Sequence, residues 1–163
     1  LMIWGVDGLN SYLTLVPGLP YLYKPRNFLR VSTGALQGMA LVAFFVPVFN
    51  SVFWSEPTDQ PSLSGGRDLA IWCGLAVGIV ALMESGWPWL LYPLAFVSVL
   101  GVLVLLTMVN GMIVTLALRS EGIASTWKEA AVVLLPGLAL ALIEITMIDL
   151  ARATVTAWLG LPF

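Results

Sequence analysis

Three charged residues lie inside the last long apolar stretch of the chain: Glu144, Asp149 and Arg152. At about 100° per residue in a helix, Arg152 falls about 60° from Asp149 and about 80° from Glu144, so one guanidinium could face both carboxylates. A charge at the centre of a membrane helix costs about 2.5–3.5 kcal/mol on insertion scales, so each such residue needs a partner or a function. The chemistry that these residues could do is the movement of a proton or an ion.

The same three residues could instead form a structural network. Asp149 and Arg152 are spaced i, i+3 and can pair directly, whereas Glu144 lies nearly two turns deeper and needs a partner on another helix. Transporters usually carry further ionisable groups along a path. Few other candidates occur inside the apolar stretches: Gln37, Glu84, Thr107 and Asn110. We therefore expect a packing role more than a transport role.

A second polar cluster is expected near the beginning of the sequence. Asp7 and Asn10 are three residues apart and would share one helix face. Arg30, which enters the next apolar stretch, is the predicted counter-charge of Asp7. A structural clamp between these segments is the expected role, and catalysis is the less favoured alternative.

Residues for catalysis or cofactor binding are scarce. The chain has no histidine, which removes the commonest metal ligand and the usual general base. Its single cysteine, Cys73, can form no intrachain disulfide. Phosphate-binding loops, dinucleotide-binding glycine motifs and nucleophile elbows are absent from the sequence. We expect no catalytic residue, no metal and no cofactor, and the net charge of −2 gives no basic excess for nucleic acid.

The elements that must position these residues are apolar helices. Hydrophobic residues make up 60% of the 163 and charged residues 10%, against about 25% charged in soluble domains. Four apolar stretches reach or approach the roughly 20 residues that span a bilayer: about 28–53, 68–84, 89–118 and 127–159. The predicted fold is an all-α polytopic transmembrane helix bundle, with four spanning helices plus a partial or re-entrant N-terminal segment. It forms a single transmembrane domain over 1–163, with a polar loop at 55–67.

Several local signals predict where the helices begin and end. The first apolar segment, at residues 1–16, is predicted to be the last part of a helix or a broken helix, with interruptions at Gly5 and Gly8. Prolines, including Pro17 and Pro25, favour a non-helical connection over 17–26. Thr126 and Glu129 fit a capping box that starts the last helix.

Small residues at i, i+4 spacing predict close helix packing at two places. The glycines concerned are Gly34 and Gly38 on one helix and Gly74 and Gly78 on the next. Cations do not decide the membrane orientation, because three fall on each side: Lys24, Arg26 and Arg30 against Arg67, Arg119 and Lys128.

The first quarter of the chain resembles a known family. The residues that carry the resemblance are Gly5-Val6-Asp7-Gly8-Leu9-Asn10, then Pro25-Arg26-Asn27-Phe28-Leu29-Arg30-Val31-Ser32-Thr33-Gly34 and Gly38. Over roughly residues 5–38 they are similar to a bacterial integral membrane family catalogued as domain of unknown function 2085. The resemblance implies no assigned activity. It also implies cysteine-containing segments upstream of the aspartate; these are absent here, and we expect the chain to be part of a longer protein.

Taken together, these features favour a non-catalytic accessory or scaffold subunit of a larger membrane assembly, such as an energy-converting complex. The expected location is the bacterial cytoplasmic membrane, with the lipid bilayer and other membrane subunits as partners. The alternative is a small transporter or a proton or ion pathway using Glu144, Asp149 and Arg152. A membrane enzyme acting on lipid would need residues upstream of Leu1.

Overall fold

The fold is all-α. A computed structural model describes residues 2–14, 20–24, 26–57 and 62–159, with the side chains of all of these except Tyr12 and Leu159. These residues form α1 (Met2–Leu13), α2 (Asn27–Phe53), α3 (Gly66–Glu84), α4 (Pro88–Ala117) and α5 (Trp127–Leu159). The predicted helix bundle is confirmed, and each predicted spanning stretch agrees with a helix to within two residues. The predicted connection at 17–26 and the polar loop at 55–67 lie partly outside the described residues.

Helices α2 to α5 are each long and apolar enough to cross a membrane. Among the described helices, α4 and α5 have the highest mean hydropathy over an 18-residue window, 2.4 and 2.3. Helix α3 contains no buried residue, and its leucine and isoleucine side chains lie exposed. Lipid acyl chains solvate such a surface, whereas water would not. The chain is therefore an integral membrane protein.

Helix α1 is continuous, so the prediction that glycines interrupt it is wrong. Gly5 and Gly8 both lie within the helix. A glycine in a helix costs only about 1 kcal/mol relative to alanine, and tertiary contacts override such a preference. At 1.5 Å per residue its 12 residues extend about 18 Å, less than the roughly 30 Å of the hydrocarbon core.

The contacts divide the chain into two compact units. The first comprises Leu1–Pro47 and Gln60–Ala95, and the second comprises Val48–Asp59 and Phe96–Phe163. Helices α2 and α4 each contribute residues to both units. The single transmembrane domain over 1–163 stays a prediction.

The core of the second unit combines aromatic rings with very small side chains. Phe49 and Phe53 stack with their ring centroids 4.3 Å apart. Ala130 and Ala141 on α5 are both 0% exposed. Because alanine is short, its burial brings the backbone of α5 close to the residues that it packs against.

The connection between α4 and α5 supplies hydrogen-bond donors for the last carbonyl groups of α2. The last carbonyls of a helix have no partner within the helix. Here the Gly122 N–H donates to the Val52 carbonyl at 2.9 Å, and the Ala124 N–H donates to the Phe53 carbonyl at 3.1 Å. The Ser55 N–H then donates to the Ala124 carbonyl, also at 3.1 Å. The chain is thus held to α2 shortly before α5 begins.

The predicted capping box at the start of α5 is confirmed. Glu129 accepts hydrogen bonds from the backbone N–H groups of Ser125 at 2.7 Å and of Thr126 at 3.2 Å. The Glu129 N–H in turn donates to Thr126 Oγ1 at 3.4 Å. These bonds satisfy the Glu129 N–H in the first turn and the two N–H groups just before the helix, and α5 begins at Trp127.

Candidate functional site

A polar pair lies within the spanning helices of the second unit. Asn110 Nδ2 on α4 donates to Glu144 Oε2 on α5 at 2.9 Å. Asn110 is 5% exposed, whereas Glu144 is exposed. Glu144 follows the first residue of α5 by about 25 Å and precedes the last by about 22 Å, at 1.5 Å per residue. The carboxyl group therefore lies near the middle of its helix. The sequence predicted that Glu144 needs a partner on another helix, and the structure shows Asn110 of α4 as its hydrogen-bond donor.

A backbone contact between α4 and α5 positions this pair. A Cβ atom on Gly137 would lie 2.6 Å from both the Gly111 nitrogen and the Thr107 carbonyl oxygen. Only glycine allows so close an approach. Gly137, Ala141 and Glu144 are spaced i, i+4, i+7 and therefore share one face of α5. Since Asn110 adjoins Gly111, the contact brings its amide within reach of the carboxylate.

This glycine contact was not predicted, although its sequence signal exists. Gly137-x-x-x-Ala141 and Thr107-x-x-x-Gly111 both have the small-residue spacing that permits close helix packing. At the four glycines that were predicted to pack, no described atom lies within 4 Å of a Cβ position: Gly34, Gly38, Gly74 and Gly78. They form no close contact with described residues, and their packing against another helix stays a prediction.

The two other charges of the predicted network follow Glu144 along α5. Asp149 lies 5 residues and Arg152 lies 8 residues beyond it, which is about 7 and 12 Å along the helix axis. Both side chains are exposed. The joining of all three charges into one network stays a prediction.

A further polar atom lies on α4 beside the pair. Thr107 Oγ1 is buried and has no hydrogen-bond partner among the described residues. Thr107 precedes Asn110 by three residues and shares its helix face. The Glu144 carboxylate can accept a further hydrogen bond from a polar group outside the described chain. No group of three His, Cys, Asp or Glu that could hold a metal ion occurs among the described residues.

The predicted cluster of the first unit forms around Asp7 and Asn10. Asp7 is 3% exposed and Asn10 is 0% exposed. Asn10 Oδ1 accepts from the Leu22 N–H at 2.7 Å, and its Nδ2 donates to the Tyr23 carbonyl at 2.9 Å. The Tyr23 hydroxyl donates to Asp7 Oδ1. One buried amide and one buried carboxylate thus attach α1 to the segment at residues 22–23.

This cluster raises the pKa of Tyr23. The main cause is the hydrogen bond to Asp7, because ionising the phenol removes the proton that the carboxylate accepts; burial and the charge of Asp7 add to it. The described hydrogen bond to Asp7 comes from the Tyr23 hydroxyl. Arg30, the predicted counter-charge of Asp7, lies exposed on α2, and their pairing stays a prediction. A buried carboxylate needs a donor, and a phenol on the adjoining segment supplies one without the cost of burying a guanidinium.

No family model matches the chain, and no curated protein or solved structure matches it either. The similarity of residues 5–38 to domain of unknown function 2085 stays a prediction.

Proposed function

We propose that the protein is a non-catalytic subunit of a larger membrane assembly and that it contacts its partner through the face of α5 around Glu144. The observation that carries the proposal is the position of this carboxyl group. It lies near the middle of a spanning helix and is exposed, and its described hydrogen bond comes from a neutral amide. Exposure to acyl chains would cost about 2.5–3.5 kcal/mol for a charged group. A partner helix that brings a donor removes this cost.

The apolar residues beside Glu144 agree with a covered face but do not require one. Ile143, Ile145 and Ile148 are 38–67% exposed. Leucine and isoleucine side chains pack equally well against lipid and against another helix, so they do not indicate a partner on their own. The assembly that we propose is an energy-converting complex in a bacterial cytoplasmic membrane.

The test is extraction of the native protein in a mild detergent, followed by size analysis and mass spectrometry of the proteins that co-migrate. We expect stoichiometric recovery in a large complex. The Glu144→Gln variant keeps an oxygen for Asn110 but loses the charge, and we expect it to dissociate at lower detergent concentration. The matched control is Glu84→Gln, at the exposed end of α3. Migration of the wild-type protein alone, or as a small homo-oligomer, would refute the proposal.

A second candidate function is a proton or ion pathway through the same site. It is favoured by the position of Glu144, a carboxyl group near the middle of a spanning helix, because ionisable groups inside spanning helices commonly mark proton or ion pathways. The Thr107 hydroxyl, which has no hydrogen-bond partner among the described residues, offers a further polar atom on the same face of α4. Liposomes that contain the purified protein and a trapped pH dye test this function. Flux that is lost in Glu144→Gln but kept in the Glu84→Gln control would favour the pathway over the subunit proposal.

A further inference from the structure

A cavity of about 450 Å³ lies where the chain enters α2, within the first unit. Its lining residues come from the end of the preceding segment and from the first turn of the helix: Tyr23, Lys24, Arg26, Phe28 and Leu29. Helix α2 is long and apolar enough to cross the membrane, so its first turn lies at a membrane surface. The cavity is therefore at the depth of the lipid headgroups.

The charge at this cavity is positive. Lys24 and Arg26 line it and are exposed, and Arg30 follows one turn further along α2, also exposed. The sequence contains no aspartate or glutamate between Asp7 and Glu56. Asp7 itself is buried and accepts a hydrogen bond from the Tyr23 hydroxyl. No acidic residue of this part of the sequence offsets the exposed cations, and the amino end of α2 adds the positive end of its helix dipole.

The remainder of the lining is apolar. Phe28 is 51% exposed and Leu29 is 37% exposed, two and three residues after Arg26. A site that places cations next to exposed apolar side chains matches a molecule with an anionic head and a hydrocarbon tail. Basic pockets at the ends of transmembrane helices bind anionic lipid headgroups in this way.

We propose that this cavity binds an anionic phospholipid, with its phosphate at Lys24 and Arg26 and an acyl chain against Phe28 and Leu29. The exposed phenylalanine and leucine favour a lipid over free inorganic phosphate, which would gain nothing from them. This site is separate from the face of α5 around Glu144, and it does not depend on the proposed function.

The test compares thermal unfolding of the purified protein in micelles that contain phosphatidylcholine alone or with added phosphatidylglycerol. A lipid that binds only the folded state raises the unfolding temperature. We expect phosphatidylglycerol to stabilise the wild-type protein. Each cation near an anionic surface is worth roughly fivefold in affinity, so we expect Lys24→Gln with Arg26→Gln to weaken the apparent affinity about 25-fold. Circular dichroism checks that the variant is folded, and Arg26→Lys should keep most of the effect.

The matched control removes two exposed cations from the starts of other spanning helices, Arg67→Gln with Lys128→Gln. This control should respond to phosphatidylglycerol like the wild type. An equal loss in the control would show general attraction of cations to an anionic surface and would overturn the site. Equal stabilisation by inorganic phosphate in phosphatidylcholine micelles would overturn the lipid as its ligand.

Discussion

Replacing Gly137 by alanine puts a methyl group against the backbone of α4. The added Cβ would lie 2.6 Å from the Thr107 carbonyl oxygen and 2.8 Å from the Gly111 Cα atom. Neither atom belongs to a flexible side chain that could turn away. The two helices have to move apart by about 0.8 Å to restore an ordinary contact of 3.4 Å.

The cost of this movement can be worked out from the contacts that it weakens. Overpacking of a well-packed contact typically costs about 1–3 kcal/mol. A gap of this size also lengthens the 2.9 Å hydrogen bond between Asn110 and Glu144, and such bonds are worth about 0.6 kcal/mol in membrane helices. Alanine recovers up to about 1 kcal/mol through its higher helix propensity. We expect Gly137→Ala to lower the free energy of unfolding by about 2 kcal/mol.

Titration with sodium dodecyl sulfate in mixed micelles, followed by far-UV circular dichroism, measures this difference. The control is Gly101→Ala on α4, where no described atom beyond the helix's own neighbouring backbone lies within 4 Å of the Cβ position. It should leave the stability unchanged or raise it by up to about 1 kcal/mol. Gly111→Ala meets the side-chain ends of Leu134 at 3.0 Å and of Phe53 at 3.1 Å, so we expect an intermediate loss of about 1 kcal/mol. If Gly137→Ala is as stable as the Gly101→Ala control, the close contact of α4 with α5 is refuted.

Three further perturbations test the polar clusters. Asn10→Ala removes the side-chain partner of three backbone groups, the N–H groups of Leu22 and Tyr23 and the Tyr23 carbonyl. It should loosen residues 20–24 by about 2 kcal/mol, read from amide hydrogen exchange. Ser11→Ala should not, because the buried Ser11 hydroxyl has no partner among the described residues. Equal exchange in the two variants would count against the clamp. The raised pKa of Tyr23 predicts a contribution to stability that is complete below about pH 10 and is lost as the pH rises through the raised value, because the phenolate cannot donate to Asp7. Thermal unfolding of Tyr23→Phe should show no such loss of stability at high pH. An equal loss in this variant would show that another group causes it. Asn110→Leu should lower the free energy of unfolding by about 0.6–1.7 kcal/mol, and a double-mutant cycle with Glu144→Leu should give a coupling energy of similar size. A coupling energy of zero would show that the Asn110–Glu144 hydrogen bond does not stabilise the fold.

The helices could be predicted well because their signals are local. Each spanning segment is a continuous apolar run, and a chain in lipid must pair its backbone groups within such a run by forming a helix. The start of α5 was predicted because a capping box involves residues only three positions apart, here Thr126 and Glu129. The continuity of α1 through Gly5 and Gly8 was missed, because glycine weakens a helix by an amount that distant contacts can offset.

The candidate sites could be predicted only in part. Asp7, Asn10 and Glu144 stand out in the sequence because polar groups are costly in apolar surroundings. Their partners do not stand out. Arg30 was the expected partner of Asp7 since opposite charges attract, yet the buried carboxylate accepts from the phenol of Tyr23.

The sequence by itself determined that this chain lies in a lipid bilayer and where its spanning helices run, since both depend on composition and on residues within a few positions of one another. The tertiary structure decided which glycines touch and which polar groups meet. The small-residue spacing occurs at Gly34, at Gly74 and at Gly137, and only the last of these lies against another backbone in the described chain. Asn110 and Glu144 are 34 residues apart, and the close approach of α4 and α5 brings them together. Such a meeting depends on how whole helices pack, which no local pattern specifies.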